Sequence, residues 1–330
     1  YIQARKFYEL SAYNSLNPES LLILGNIYFT GSGIDVDYDK AREFYELSAN
    51  FNNSDALNNL GSLYFHGLGV NQNYNTAKEY FQLAAHFKNP VAFCNLGDLY
   101  YNGNGVVKNF SLARIYYEKA AENHNSEALN KLGNIYYYGY EVEKDIQKAI
   151  NYYELSASID NNSNAFNSLG NIYRKGEGVK QSIENAIIYY EISAELNNQY
   201  ALNNLGCIYY DGEGVEKDYK IAKKYYELAA EQNNSNALYS LGILYDNGEG
   251  VEQDYIKAKE LYEMAAQQNN SNALDSLGIL YQNGDGVEQN YQRAMDYYQL
   301  SASLGNGYAY EHIGDLYYSG RGVKRNYEKA

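Results

Sequence analysis

Two glycines straddle an acidic residue just ahead of a helix-like run at Gly248 and Gly250, within "LGILYDNGEGVEQDYIKAKELYEMAA" (residues 241–266), where a phosphate-binding loop would keep them. Gly212 and Gly214 stand the same way. Such loops also need the third glycine of G-x-G-x-x-G after a strand, or a following Lys-Ser or Lys-Thr, and neither is present. The pairs are therefore expected to be positive-φ turn residues. His66, His86, His124 and His312 are scattered with no H-E-x-x-H or paired Cys/His spacing, which argues against a metal. Cys94 and Cys207 are the only cysteines and have neither a pairing geometry nor a His and carboxylate set beside them. Asn52, Asn109, Asn161, Asn233 and Asn269 begin Asn-x-Ser sequons, but the stronger reading is that Asn and Ser end one helix and cap the next. No catalytic, cofactor-binding or metal residue is expected, no small-molecule substrate, and no enzyme.

The totals narrow the partners. A net charge of −15 argues against nucleic acid and anionic lipid surfaces, both of which need clustered Lys and Arg. Tyr contributes 41 residues, Trp none, and Pro only Pro18 and Pro90, a composition suited to much half-buried surface. With two cysteines a reducing compartment is the simpler expectation, hence the cytoplasm. No apolar run is long enough to span a membrane. The chain opens on "YIQARKFYEL" without Met, and is expected to be a piece of a larger protein.

Those glycines belong to a repeat. Anchor glycines recur at Gly25, Gly61, Gly97, Gly133, Gly170, Gly206, Gly242, Gly278 and Gly314, a step of 36 residues with one of 37. Within each unit the apolar residues fall twice at helical spacing, as with Ala56, Leu57, Leu60, Gly61 and Tyr64, then Tyr74, Ala77, Tyr80, Phe81, Ala84 and Ala85. Each repeat is thus a first helix (A) and a second (B). Asp37, Asn73, Asn109, Asp145, Ser182, Asp218, Asp254, Asn290 and Asn326 stand where each B helix needs an N-cap. Asn52, Asn161 or Asn162, Asn197, Asn233, Asn269 and Gly305 stand where each needs a left-handed end; Lys88 and His124 fit that place less well. The extra residue of the long step is expected in the loop around "SIDNNSN", shifting neither helix. A glycine inside helix A costs roughly 1 kcal/mol against alanine, so nine of them imply a close crossing by helix B. Such pairs bury their apolar faces only by stacking, which predicts one elongated domain over 1–330. It comprises a partial repeat 1–16, repeats 17–52, 53–88, 89–124, 125–161, 162–197, 198–233, 234–269 and 270–305, and a partial repeat 306–330.

The unit L-G-x-[IL]-Y-x-x-G-x-G-V-x-x-[DN]-Y-x-x-A-x-x-Y-Y-x-x-[AS]-A closely resembles the Sel-1-like repeat, a relative of the tetratricopeptide repeat, over essentially the whole chain. Departures are Tyr80, Tyr116 and Tyr225 where many members have Trp, Asn for Gly at the B-helix end, and Glu141 for the second turn glycine in "YGYEV", where a distorted turn or a different loop geometry is expected. The resemblance implies an all-α, right-handed superhelical α/α solenoid acting as a non-catalytic adaptor for protein partners. It equally admits a regulatory or docking arm of a signalling enzyme such as a protein kinase, or an endoplasmic-reticulum adaptor of protein degradation. The β-lactam chemistry linked to some cysteine-rich relatives does not carry over, since Ser-x-x-Lys and their regular cysteines are missing.

By analogy with tetratricopeptide arrays, residues −3, +1, +4 and +5 from the anchor glycine should line a concave groove that takes extended peptide or a helix of a partner protein. The −3 position holds Asn58, Asn130, Asn167, Asn203 and Asp275; +1 holds Asp98, Asn134 and Asn171; +4 holds Phe65, Tyr101, Tyr137, Arg174, Tyr210 and Asp246. Amides can pair with a peptide backbone without demanding a sequence, and aromatic rings supply anchors. Protein or peptide partners are expected.

Overall fold

A side-chain oxygen begins almost every helix of this chain. The computed structural model describes residues 2–330, without the side chains of 2–4 and 13–15; Tyr1, the start of the expected partial repeat, lies outside the described residues. The first helices are α1 (Ile2–Ser15), α2 (Pro18–Thr30), α3 (Tyr38–Ala49), α4 (Ser54–His66), α5 (Tyr74–His86), α6 (Pro90–Asn102), α7 (Phe110–Ala121), α8 (Ser126–Tyr138) and α9 (Ile146–Asp160). They are followed by α10 (Ser163–Lys175), α11 (Ile183–Glu195), α12 (Gln199–Asp211), α13 (Tyr219–Glu231), α14 (Ser235–Asn247), α15 (Tyr255–Ala266), α16 (Ser271–Asn283), α17 (Tyr291–Ser303) and α18 (Gly307–Ser319). Even numbers are A helices and odd numbers B helices, and no strand occurs among the described residues. The chain divides into two compact units, 1–165 and 166–330, each described on its own.

The caps anticipated for the B helices accept from first-turn N–H groups, as Asp37 does from Lys40 and Asp254 from Ile256 and Lys257. The A helices are capped just as regularly by an asparagine three residues before the first-turn alanine, Asn53 accepting from Ala56 N and Asn234 from Ala237 N at 2.9 Å. The same asparagines donate to the preceding repeat: Asn89 Nδ2 lies 2.7 Å from Asp55 Oδ1 and Asn270 Nδ2 3.2 Å from Asn236 Oδ1. One residue thus caps its own helix and ties it to its neighbour.

Asn52, Asn161, Asn197, Asn233 and Asn269 take positive φ at the B-helix ends, leaving Asn162 as the next cap. The sequon asparagines therefore have the helix-ending and capping places expected of them. Lys88 and His124 hold the same left-handed conformation at φ 61° and 57°, without asparagine's local compensation. Two expectations need correction. The extra residue of the 37-step does not sit in a loop: α9 runs to 15 residues where the other B helices from α3 onward have 12 or 13, so the helix itself absorbs it. Nor is the "YGYEV" turn distorted. Glu141 adopts φ 53° in place of the second glycine, and Asp145 N still reaches Tyr136 O at 2.9 Å, as Asp254 N reaches Tyr245 O at 2.8 Å in a glycine-bearing turn. Its carboxylate instead accepts from Ser111 N at 2.9 Å, at the N-terminal end of α7, and that N–H holds the carboxyl below its ordinary range.

The anchor glycine marks the predicted crossing. A Cβ on Gly242 would lie 2.5 Å from Cε1 of Tyr262 in α15, and the same ring position, always the residue 20 after the glycine, meets every anchor from Gly25 to Gly278. These rings, Tyr45, Phe81, Tyr117, Tyr153, Tyr190, Tyr226, Tyr262 and Tyr298, are almost wholly buried and, with the Ala and Leu rows around them, form the core of each helix pair.

Candidate protein-binding face

Burying a tyrosine ring buries its hydroxyl, which then needs an acceptor. The residue after the anchor glycine supplies it. Tyr45 donates to Asn26 Oδ1 at 2.8 Å, Tyr117 to Asp98 at 2.6 Å, Tyr153 to Asn134 at 2.8 Å and Tyr190 to Asn171 at 2.7 Å. Where that position turns apolar, at Ile243 and Ile279, the acceptor moves one turn on: Tyr262 donates to Asp246 Oδ2 at 3.0 Å and Tyr298 to Gln282 Oε1 at 3.2 Å. Phe81, which has no hydroxyl, faces the one repeat with Ser62 at +1. Burial pushes the hydroxyls of Tyr45, Tyr117, Tyr190, Tyr226, Tyr262 and Tyr298 well above the usual phenol range, so they remain donors.

The +1 and −3 rows expected to meet a ligand are thus partly engaged inside the protein. Asn58 Oδ1 accepts from Asn95 at 2.9 Å, and Asn167 Oδ1 from Asn204 at 3.0 Å. An oxygen of Asn130, of Asn203 and of Asp275 is buried with no hydrogen-bond partner in the protein. Asn203 Nδ2 lies 3.9 Å from Cys207 Sγ. Asp275 places its other oxygen 3.4 Å from His312 Nε2, and burial raises its carboxyl above the ordinary range against the opposing pull of that imidazole. Asp246, half-buried, is raised for the same reason, with Asp285 adding to the effect and the Tyr262 hydroxyl opposing it.

The +4 row borders the turn. Phe65 meets Tyr74 edge-on at 5.3 Å, Tyr101 meets Phe110 at 5.2 Å and Tyr140 at 5.9 Å, and Tyr137 packs on Tyr138 at 4.8 Å. Arg174 pairs with Glu213 at 2.7 Å and Tyr210 donates to Glu249 at 2.7 Å, each reaching the next repeat's turn. Burial lifts the Tyr101 hydroxyl to about 12.

A Sel1 repeat model matches nine times in tandem, over residues 18–50, 54–86, 90–125, 126–161, 167–198, 199–234, 235–270, 271–306 and 307–330. The chain belongs to the Sel1 repeat family. Among solved structures, it is similar to c5321, a protective antigen of uropathogenic Escherichia coli strains with an SLR fold, at 30% identity and TM-score 0.64, covering 99% of this chain and 70% of that one. It is also similar to a Sel1 repeat protein from Oxalobacter formigenes, at 31% identity and TM-score 0.67, covering 76% of this chain and 99% of that one. No curated protein matches. Sel1 repeat proteins generally act as protein-interaction scaffolds. No helix among the described residues is long and apolar enough to cross a membrane.

A further polar row joins Sel1 repeats to the ones before them. At −2, Asn59, Asn95, Lys131, Asn204 and His312 reach back to the preceding repeat, Asn59 to Asn26 at 3.2 Å and Lys131 to Asp98 at 3.6 Å. A signal was present, because that position is polar in every repeat after the first. Cavities of 400, 470, 550 and 570 Å³ lie away from the stripe, beside the tyrosine at +3, the turn and the start of helix B, as around Tyr281 and Arg293 or Tyr136 and Lys148. No residue of the −3, +1 or +4 rows lines them.

Proposed function

We propose that this Sel1 repeat protein is a non-catalytic scaffold that receives an extended segment of a partner protein along the helix-A stripe of a unit. The observation that carries the reading is the orientation of the +1 amides. A buried tyrosine hydroxyl, which needs an acceptor, holds the Oδ1 atoms of Asn26, Asn134 and Asn171 inward. Among the described residues their Nδ2 groups make no hydrogen bond, and they stand on half-buried or exposed residues of the A helices. An amide locked in this way offers donors to a backbone carbonyl with little rotamer entropy left to lose, and it demands no side chain of the partner. The half-buried rings of Phe65, Tyr101 and Tyr137 border the same stripe in the first unit and supply apolar anchors.

The test uses Asn→Asp at residues 26, 134 and 171 together. Aspartate keeps the acceptor for the tyrosine, as Asp98 already does for Tyr117, and replaces the outward donor with a negatively charged oxygen that can only accept. Linear peptides selected from an unstructured library on the wild-type chain should bind the triple variant at least about tenfold more weakly, while its melting temperature changes little. Unchanged affinity in a folded variant refutes the assignment.

A further inference from the structure

The last four A helices differ from the rest in charge. α12, α14, α16 and α18 contain Asp211, Asp246, Asp275, Glu311 and Asp315 and not one Lys or Arg; the helical Lys and Arg of this stretch all stand on α13, α15 and α17. Two of these carboxylates are held as no ordinary surface acid is. Asp275 is 8% exposed, has His312 at 3.4 Å on one oxygen and no partner at all on the other. Asp246 is half-buried, its carboxylate accepting a single hydrogen bond, from the Tyr262 hydroxyl, and among the described residues no basic side chain pairs with it. Removing a carboxylate from water without a cation is unfavourable, and the burial-raised carboxyls of both residues report that cost. A guanidinium or ammonium group brought by a ligand would relieve it.

We propose that the helix-A face of the second unit takes a Lys- or Arg-bearing extended segment of a partner protein, with Asp275 and Asp246 meeting its cations. This rests on the reading of the helix-A stripe as the binding face and specifies its partner. Arginine suits the site best, since its guanidinium is more weakly hydrated than an ammonium and can donate to the oxygen of each carboxylate that His312 or Tyr262 does not engage. The chain's net charge of −15 steers such a segment in, but it does so over the whole surface; the partnerless oxygen of Asp275 is what localises it.

The repeats themselves provide the variants. Asn203 occupies the place of Asp275 and Gln282 that of Asp246, so Asp275→Asn with Asp246→Gln installs residues the fold already accepts there. Fluorescence polarisation would compare labelled peptides of alternating Ser-Arg, Ser-Gln and Ser-Glu at one length, at low and near-physiological salt. The Ser-Arg peptide should bind at least about tenfold tighter than the Ser-Gln peptide at both salts, and the double variant should abolish that margin. Asp296→Asn, an exposed acid on α17, should leave it intact. Wild-type affinity in the double variant, or equal binding of the three peptides, overturns the proposal. If the Ser-Gln peptide binds as tightly as Ser-Arg and is lost with Asn171→Asp, the stripe stands and the basic partner falls. If none of the three binds, the basic partner falls, and the library selection described above still decides the stripe.

Discussion

The pairing of Asn171 with Tyr190 can be tested as a double-mutant cycle. Tyr190 is fully buried and donates to Asn171 Oδ1 at 2.7 Å. The Arg174 guanidinium lies beside the same hydroxyl, but a guanidinium only donates and cannot replace a lost acceptor. Asn171→Ala therefore strands the hydroxyl, at about 1–3 kcal/mol. Tyr190→Phe removes the donor and leaves Asn171 its second contact, with Asn204 at 3.3 Å, so the loss should be nearer the net worth of one hydrogen bond, about 0.5–1.5 kcal/mol. The double variant copies the apolar ring that Phe81 already places against its own anchor glycine, and should cost less than the sum by about 1 kcal/mol. Because long repeat arrays depart from two-state unfolding, the assay is amide hydrogen exchange read by mass spectrometry over α11 and α12. The Asn171→Ala helices should open roughly five- to 150-fold more often, at about 1.4 kcal/mol per factor of ten. Additivity within about 0.3–0.5 kcal/mol would refute the view that the hydroxyl and the amide act as a unit.

Two more predictions follow from burial. Gly242→Ala should destabilise despite alanine's helix-forming advantage of about 1 kcal/mol, because its Cβ falls 2.5 Å from a ring that is 1% exposed and tied to Asp246; overpacking of about 1–3 kcal/mol outweighs the gain. Gly307→Ala, with nothing within 4 Å, should instead stabilise α18, and thermal melts of the pair should move in opposite directions. For Asp246 and Asp275 the folded carboxyl titrates above its ordinary 3.8, so the native state prefers the protonated form. That contribution is full below 3.8 and is lost as pH rises through the raised folded values. Asp246→Gln with Asp275→Asn should therefore raise the melting temperature at neutral pH, and the advantage should shrink as the pH falls to about 4. A variant pair equally or less stable than wild type at neutral pH would contradict this.

What could be read in the amino-acid order was what acts over one helical turn. Asp254 or Asn73 can be recognised as a cap because its partner lies two or three residues on, and the left-handed ends follow from Asn at the same register. The anchor glycine pointed to a crossing, but its partner ring lies 20 residues away and only packing identifies it. The tyrosine–amide bonds span 19 residues, and the −2 contacts span 33 to 37, beyond any helical period. Their trace is substitution between repeats: Ser62 with Phe81, and Ile243 with Asp246. Such an exchange has no signature within a single repeat and shows only when +1 and +4 are compared together across repeats. At Glu141 the missing glycine predicts an altered turn, whereas the residue adopts the left-handed conformation and its carboxylate binds Ser111 N, 30 residues away in sequence.

The central claim is that amides locked from within by tyrosine present their donors to a partner's backbone. Its most direct test follows the side-chain amide resonances of Asn26, Asn134 and Asn171 while a selected peptide is titrated into the chain. They should shift and saturate together with the affinity found by polarisation. Fixed amide resonances, with the shifts falling instead on side chains of B helices such as α13 and α15, would contradict it.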